Sequence, residues 1–262
     1  MKVLYIFVTS DRPDQYLNPI VYCILKGINR IVFVQITRPG VQQIQINTLC
    51  RNVYDLIYNL SAGIYKYYTG KDQGKEVSLD TRYSATELAD IKATYKLCLS
   101  NDIKWDTESF EYSAMKQAIA SLNKRGKNNI FDITSFSKSL MGDIIACCLL
   151  ENIQELYTFE LIGKLNFSEP WTMLIHKLKE QKDYKYINIV KTSVFQESAK
   201  QILIRTTPLI ISIISTITFV ILALAATFIL GESHVVSRSM NTVGIALGIV
   251  SFFLIFFPIR GN

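Results

Sequence analysis

Residues 3–12, Val3-Leu-Tyr-Ile-Phe-Val8 running into Thr9-Ser-Asp-Arg12, decide how the first 190 or so positions are read. Six consecutive apolar residues mark a strand buried on both faces, as the central strands of a parallel sheet are. The change to hydroxyl and charged side chains marks a loop leading into a helix. That helix is expected over about Asp14 to Lys26, interrupted early by Pro19. Arg30-Ile-Val-Phe-Val-Gln-Ile36 reads as a second buried strand, closed by Arg38-Pro-Gly40. Strand, helix and strand within roughly 35 residues form a βαβ unit, whose crossover is right-handed.

Working outward, Leu49, Val53, Leu56, Ile57, Leu60 and Ile64 trace one apolar stripe of a long helix within Val41 to Tyr65. Gly70 to Arg82 is polar and turn-rich, with a short strand at Glu76 to Leu79. Ser84-Ala-Thr-Glu87 has the spacing of a capping box and opens a helix to Leu99. Asn101 to Thr107 reads as a loop or an edge strand, and Ser113 to Lys124 as an amphipathic helix. A strand is expected at Ile130 to Ile133, a polar turn at Thr134 to Ser137 and a helix through about Glu151. Strands at Leu156 to Ile162 and Tyr184 to Val190 flank a helix around Trp171 to Lys182. This alternation predicts an α/β, Rossmann-like open, mostly parallel sheet with helices on both faces.

The C-terminus has another character. Leu209 to Leu230 is 22 residues without a charge, Pro or Gly, long enough to cross a bilayer core of about 30 Å. After the connector Gly231 to Ser239, Thr242 to Ile259 is an uncharged run of 18. The expectation is a two-helix transmembrane hairpin, with a buried helical pair in a soluble protein as the alternative. The domains are then 1–192, a cytosolic ligand-sensing body; 193–207, a helical connector without a Gly or Pro linker; and 208–262, the transmembrane effector hairpin. A helical connection can transmit displacement where a flexible one only tethers. Lys191, Lys200, Arg205 and Arg260 flank the hairpin on its outer ends, so the positive-inside rule places both termini in the cytoplasm, on an inner, multi-pass membrane protein.

Removing Arg238, Arg260 and Glu232 from the chain's 28 basic and 22 acidic residues leaves 26 and 21 in Met1 to Thr207, a net +5. The basic residues are scattered, which argues against binding a DNA or RNA polymer and leaves room for an anionic ligand or lipid headgroups. The five cysteines show no C-x-x-C spacing and read as reduced core residues. Val3 to Val8 is too short for a signal peptide.

In open α/β sheets, ligands bind outside the carboxyl ends of the strands, where helix N-termini aim N–H groups at anions. Two strand ends carry suitable groups: Thr9, Ser10, Asp11 and Arg12, and Thr134, Ser135, Phe136, Ser137 and Lys138. Lys138 stands in a first helical turn, unfavourable for the dipole unless an anion resolves the conflict. The plain alternative is ordinary caps and turns with a solvated lysine. No catalytic residue emerges: H-E-x-x-H, G-x-S-x-G, Walker and G-x-G-x-x-G patterns are absent. His176, on an expected helix with Lys177 and Lys179, reads as a surface residue, and Cys147-Cys148 as core. Asp11 and Asp143 are too scattered for a metal site, and no cofactor is expected. In the hairpin, Gly244 and Gly248 are a small-xxx-small pair that permits close helix approach. Ser212, Ser215, Thr216 and Thr218 either line a pore, join helices across an oligomer, or satisfy themselves on backbone carbonyls.

Asp132-Ile-Thr-Ser-Phe-Ser-Lys138-Ser-Leu-Met141 resembles the Asp-x-Thr-Gly-Gly-x-Lys-x-Met type of segment in CRISPR-associated Rossmann-fold (CARF) sensor domains. Asp132, Thr134, Lys138 and Met141 match by spacing, while Ser135 and Phe136 replace the two glycines. The resemblance implies a homo-oligomer, dimeric or larger, holding a cyclic oligonucleotide, with cyclic oligoadenylate foremost. It places the chain in prokaryotic antiviral defence, with the hairpin perturbing or permeabilising the lipid bilayer when ligand binds. The competing expectations are a membrane-anchored enzyme that cleaves such a ligand and a non-sensing subunit of a membrane assembly.

Overall fold

The computed structural model describes residues 2–100, 102–126, 129–163, 166–197, 206–230, 235, 239 and 242–244. Its contacts divide the chain into two compact units, Met1–Thr192 and Ser193–Asn262. The first unit contains β1 (Val3–Val8), α1 (Asp14–Leu25), β2 (Arg30–Thr37), α2 (Ile46–Ala62), β3 (Ile64–Lys66), β4 (Glu76–Ser78) and α3 (Ala85–Leu97). It continues with β5 (Lys104–Glu111), α4 (Met115–Lys124), β6 (Ile130–Asp132), α5 (Lys138–Leu150), β7 (Leu156–Leu161) and β8 (Tyr184–Asn188).

Six strands form one sheet in the order β5-β2-β1-β6-β7-β8. All neighbours are parallel except β7 and β8, which run antiparallel. Helices cover both faces, and the sheet is Rossmann-like. Alternation along β1 sends Leu4, Ile6 and Val8 into the core shared with α1, α2 and α3. Tyr5 and Phe7 go to the other face, where their rings stack on Phe131. Both sets are wholly buried, which is why β1 has no polar position. The segment left open as loop or edge strand is β5, an edge strand pairing with β2 from Lys104 to Glu111. The small β3-β4 hairpin stands apart.

Three expectations need correction. Pro19 sits inside α1 without interrupting it. The single hydrogen bond it forfeits is offset by burial of Tyr16, Leu17, Ile20 and Val21 against the sheet. The apolar stripe extended to Ile64 also runs past the end of α2, because Gly63 takes the left-handed conformation (φ 88°) and Ile64 begins β3. The third concerns Trp171 to Lys182, which is not a helix but a 3₁₀ turn at Pro170–Met173 followed by further turns. The buried side chain of Asn18 in α1 accepts from the Ile175 amide at 2.9 Å and donates to the Met173 carbonyl at 2.9 Å. It thereby occupies backbone groups that a helix would need.

In the second unit, residues 193–197 are helical and α6 spans Thr206–Leu230, 25 residues without a charge, about 37 Å at 1.5 Å each. Among the described residues no helix is long and apolar enough to cross a membrane; those of α6 described with their side chains form a broken series. The rest of the connector, 198–205, and all of Thr242–Ile259 beyond residue 244 lie outside the described residues. So do Gly248 and the side chains of Ser212 and Ser215. Thr218 donates its hydroxyl to the Ile214 carbonyl at 2.9 Å, and a Cβ at Gly244 would stand 2.8 Å from the Phe219 ring.

Candidate functional site

Strand order reverses at β1: the chain proceeds from β1 to β2 and β5 on one side, and through β6, β7 and β8 on the other. The loops leaving β1 and β6 therefore part from each other, opening a crevice outside their carboxyl ends. Both expected site segments lie there. They are also tied together, with the Thr9 hydroxyl donating to the Ser135 carbonyl and the Ser135 hydroxyl donating to the Phe7 carbonyl at 2.8 Å. In the first loop, the Tyr16 hydroxyl donates to the Ser10 carbonyl at 2.6 Å and accepts from the Ser10 amide at 3.1 Å. The Arg12 amide donates to the Ser10 hydroxyl at 3.2 Å. Asp11 and Arg12 are exposed, and the Arg12 guanidinium pairs with Asp14 at 2.9 Å.

The second loop is braced from below. Asp132, 1% exposed, accepts the Thr134 amide and the Thr134 hydroxyl, each at 3.0 Å, and the Tyr186 hydroxyl reaches it from β8. Thr134 Oγ1 in turn accepts the Phe159 amide of β7 at 2.8 Å. Burial pushes the Asp132 carboxyl up to about 6, against the lowering pull of the Thr134 and Tyr186 bonds. Phe136 is buried, its ring edge-on to Phe7, so its side chain serves the core. Ser137 and Lys138 are exposed where α5 begins. Lys138 has no ion pair among the described residues.

Three clefts meet at Arg12. A cleft of about 1000 Å³ is lined by Thr9 to Arg12, the β2–α2 loop, the start of α2 and the turn joining β3 to β4. One of about 390 Å³ continues toward Tyr67 and Lys71. The third, about 610 Å³, is lined by Arg12, Thr134, Ser135, Phe136, Phe159 and Phe167 among others. The two expected loops thus open onto different clefts that share Arg12. The amide groups Gln42, Gln43, Gln45, Asn52 and Gln73 of the largest cleft escaped the sequence reading. Their one available signal was position: residues 42–45 follow β2, the parallel neighbour of β1.

His176 is not the surface residue expected. Its Nδ1 lies 2.8 Å from the Tyr95 hydroxyl, with the Tyr83 and Tyr95 rings edge-on to it. Burial, then the charge of Lys177, pushes it down to about 4. Its Nε2 is buried without a partner among the described residues, beside a cavity of about 110 Å³. Asp143 accepts from the Tyr112 hydroxyl at 2.7 Å and lies 3.9 Å from Arg38. Among the described residues no group of three metal-ligating side chains occurs, and all five cysteines are free.

Strand order and the loops at its reversal define the class: an open, Rossmann-like α/β domain with clefts where such sheets take ligands. No family model matches the chain and no curated protein is similar to it. Among solved structures it is similar to Csm6 of Enterococcus italicus bound to cyclic hexa-2'-fluoro-hexa-dAMP, at 9% identity and a TM-score of 0.40. That overlap covers 99% of this chain and 59% of the other. A score that low carries no argument, and the class rests on the strand order and register above.

Proposed function

We propose that the protein senses an anionic, nucleotide-type second messenger, a cyclic oligoadenylate foremost, at the crevice between β1 and β6. The observation that carries this reading is the direct bonding of the Thr9 and Ser135 loops at the strand-order reversal, beside clefts joined at Arg12. Arg12 and Lys138 supply positive charge at that edge. The spacing of Asp132, Thr134, Lys138 and Met141 adds the resemblance to CARF sensor domains, in which two copies enclose the ligand. The protein then works as a homo-oligomer in antiviral defence. It is a sensor, not an enzyme.

The uncharged sequences of Leu209–Leu230 and Thr242–Ile259 support a C-terminal membrane hairpin, with both chain termini on the cytoplasmic side of the inner membrane. Ligand binding rearranges the hairpin, and with it the bilayer, by favouring one arrangement of the oligomer over another. Differential melting of the detergent-purified protein across cyclic oligoadenylates of different ring size tests the reading, because a ligand of the folded state raises stability by RT ln(1 + [L]/Kd). A shift with one ring, reduced in Lys138→Ala, supports it. No shift with any ring sinks it, and loss of the ring on incubation replaces the sensor with an enzyme.

A further inference from the structure

The bracing beneath Thr134 has more in it than rigidity. Asp132 presents two oxygens to one residue: Oδ1 accepts the Thr134 amide and Oδ2 accepts the Thr134 hydroxyl. An amide can only donate, so Oδ1 must remain an acceptor. A hydroxyl can do either, so Oδ2 is free to carry a proton. With the carboxylate ionised, the hydroxyl proton of Thr134 points down to Oδ2, and Oγ1 also takes the Phe159 amide. With the carboxyl protonated, Oδ2–H donates to Oγ1. The Thr134 proton must then rotate to a new acceptor, and Thr134 together with Ser135 lines the cleft of about 610 Å³.

We propose that Asp132 is a positioning residue whose protonation reverses the Thr134 hydroxyl, so that an anion entering this cleft takes up one proton from solvent. This rests on reading the cleft as the site of an anionic ligand. The two contributions act in the same direction: an outward O–H replaces a lone pair facing the anion, and a buried negative charge close beneath the anion disappears. Arg12, Asp14 and Glu160 also line the cleft, and none of them is among the groups that act on the Asp132 carboxyl. The titratable groups facing Asp132 are the Tyr186 hydroxyl from β8, the Cys23 thiol from α1 and its neighbour Tyr157 on β7. Burial holds the Tyr186 and Cys23 protons in place. No Lys, Arg, Glu or other Asp is among the groups that act on its carboxyl. Burial puts that titration near pH 6, within the range in which a bound anion can shift it.

Asparagine imitates the protonated form, with Oδ1 accepting the Thr134 amide and Nδ2–H donating to Oγ1. The experiment uses the full chain in detergent and two probes whose phosphate charge is constant over the range, trimetaphosphate and the cyclic oligoadenylates, titrated at pH 5.5 and 7.5. Wild type should bind an anionic probe roughly fivefold more tightly at pH 5.5, and Asp132→Asn should bind with its acid-side affinity at both values. Should the variant fail to fold, calorimetry of wild type in two buffers of different ionisation enthalpy reads the same quantity. Near pH 6.5, uptake of roughly half a proton or more per bound anion is expected. A pH-independent wild type, zero proton uptake, a variant that keeps the wild-type pH profile, or failure of both probes to bind overturns the proposal. If trimetaphosphate binding is proton-coupled while every cyclic oligoadenylate fails, the messenger reading falls and the proton site stands. If a cyclic oligoadenylate binds with no proton uptake, the reverse holds.

Discussion

Asp132 beneath the β6 loop and His176 beneath α3 are both buried and ionisable, yet they are built for opposite responses to acid. Asp132 is held by bonds from Thr134 and Tyr186; His176 has Tyr95 on one nitrogen and nothing described on the other. Burial disfavours the charged form of each, which for a carboxyl means a higher pKa and for an imidazole a lower one. Folded His176, near 4 against about 6.5 when unfolded, gives up its contribution as pH falls through that window, because the unfolded chain takes the proton first. Folded Asp132, near 6 against about 3.8 unfolded, takes the proton first, so acid relieves the cost of its buried charge. Between about pH 4 and 6 the two slopes oppose each other. A weak pH dependence of stability there would conceal two strong ones.

The largest effect expected comes from removing the less supported group. His176→Ala leaves a void and orphans the Tyr95 hydroxyl, so urea unfolding at pH 7.5 should show a loss of about 2–4 kcal/mol. That deficit should shrink by about 2 kcal/mol at pH 5, where the wild-type imidazole has itself become a liability. An undiminished deficit at pH 5 would mean that His176 is not held neutral.

Asp132→Asn is expected to run the other way, stabilising by about 3 kcal/mol at pH 7.5 and by only about 1 kcal/mol at pH 4.5. Its unfolding midpoint should then fall steeply with acid, exposing the histidine slope alone. A smaller effect follows from Thr9→Val, which removes the hydroxyl bond that ties the two site loops together; about 1 kcal/mol is expected from urea melts. Lys138→Ala should change stability by less than about 0.5 kcal/mol, since the side chain is exposed and unpaired among the described residues. It should still weaken any anion bound at the α5 end of the crevice, and a large stability loss would assign Lys138 to the fold instead.

The same contrast shows what was legible beforehand. Capping chemistry read correctly from four residues, because Ser84 and Glu87 bond within one helical turn, and both bonds of the box are present. The central strands were legible because Leu4, Ile6, Tyr5 and Phe7 must all be apolar when both faces are covered. The expected helix near His176 failed because its competitor, Asn18, stands 157 positions from the Ile175 amide that it occupies. His176 passed for a surface residue for the same reason, its partner Tyr95 lying 81 positions away.

At the site, the sequence located both loops, since hydroxyl and charged residues directly after apolar runs mark strand ends wherever they occur. It named Phe136 and Thr134 as ligand contacts; both line the cleft of about 610 Å³, and the sequence did not show that the Phe136 ring also packs on Phe7 or that the Thr134 hydroxyl also bonds Asp132 and the Phe159 amide. The amide-lined cleft after β2 was missed because five scattered Gln and Asn residues acquire meaning only when two loops and a hairpin turn converge. By itself, then, the sequence determined the α/β alternation, the buried strands and the long uncharged C-terminal runs, all of which depend on local periodicity and hydropathy. Tertiary structure alone decided the reversal of strand order at β1, the pairing of the two site loops and the environments of Asp132 and His176. Each of these arises from groups far apart along the chain, and burial shifts a pKa only once such groups have closed around it.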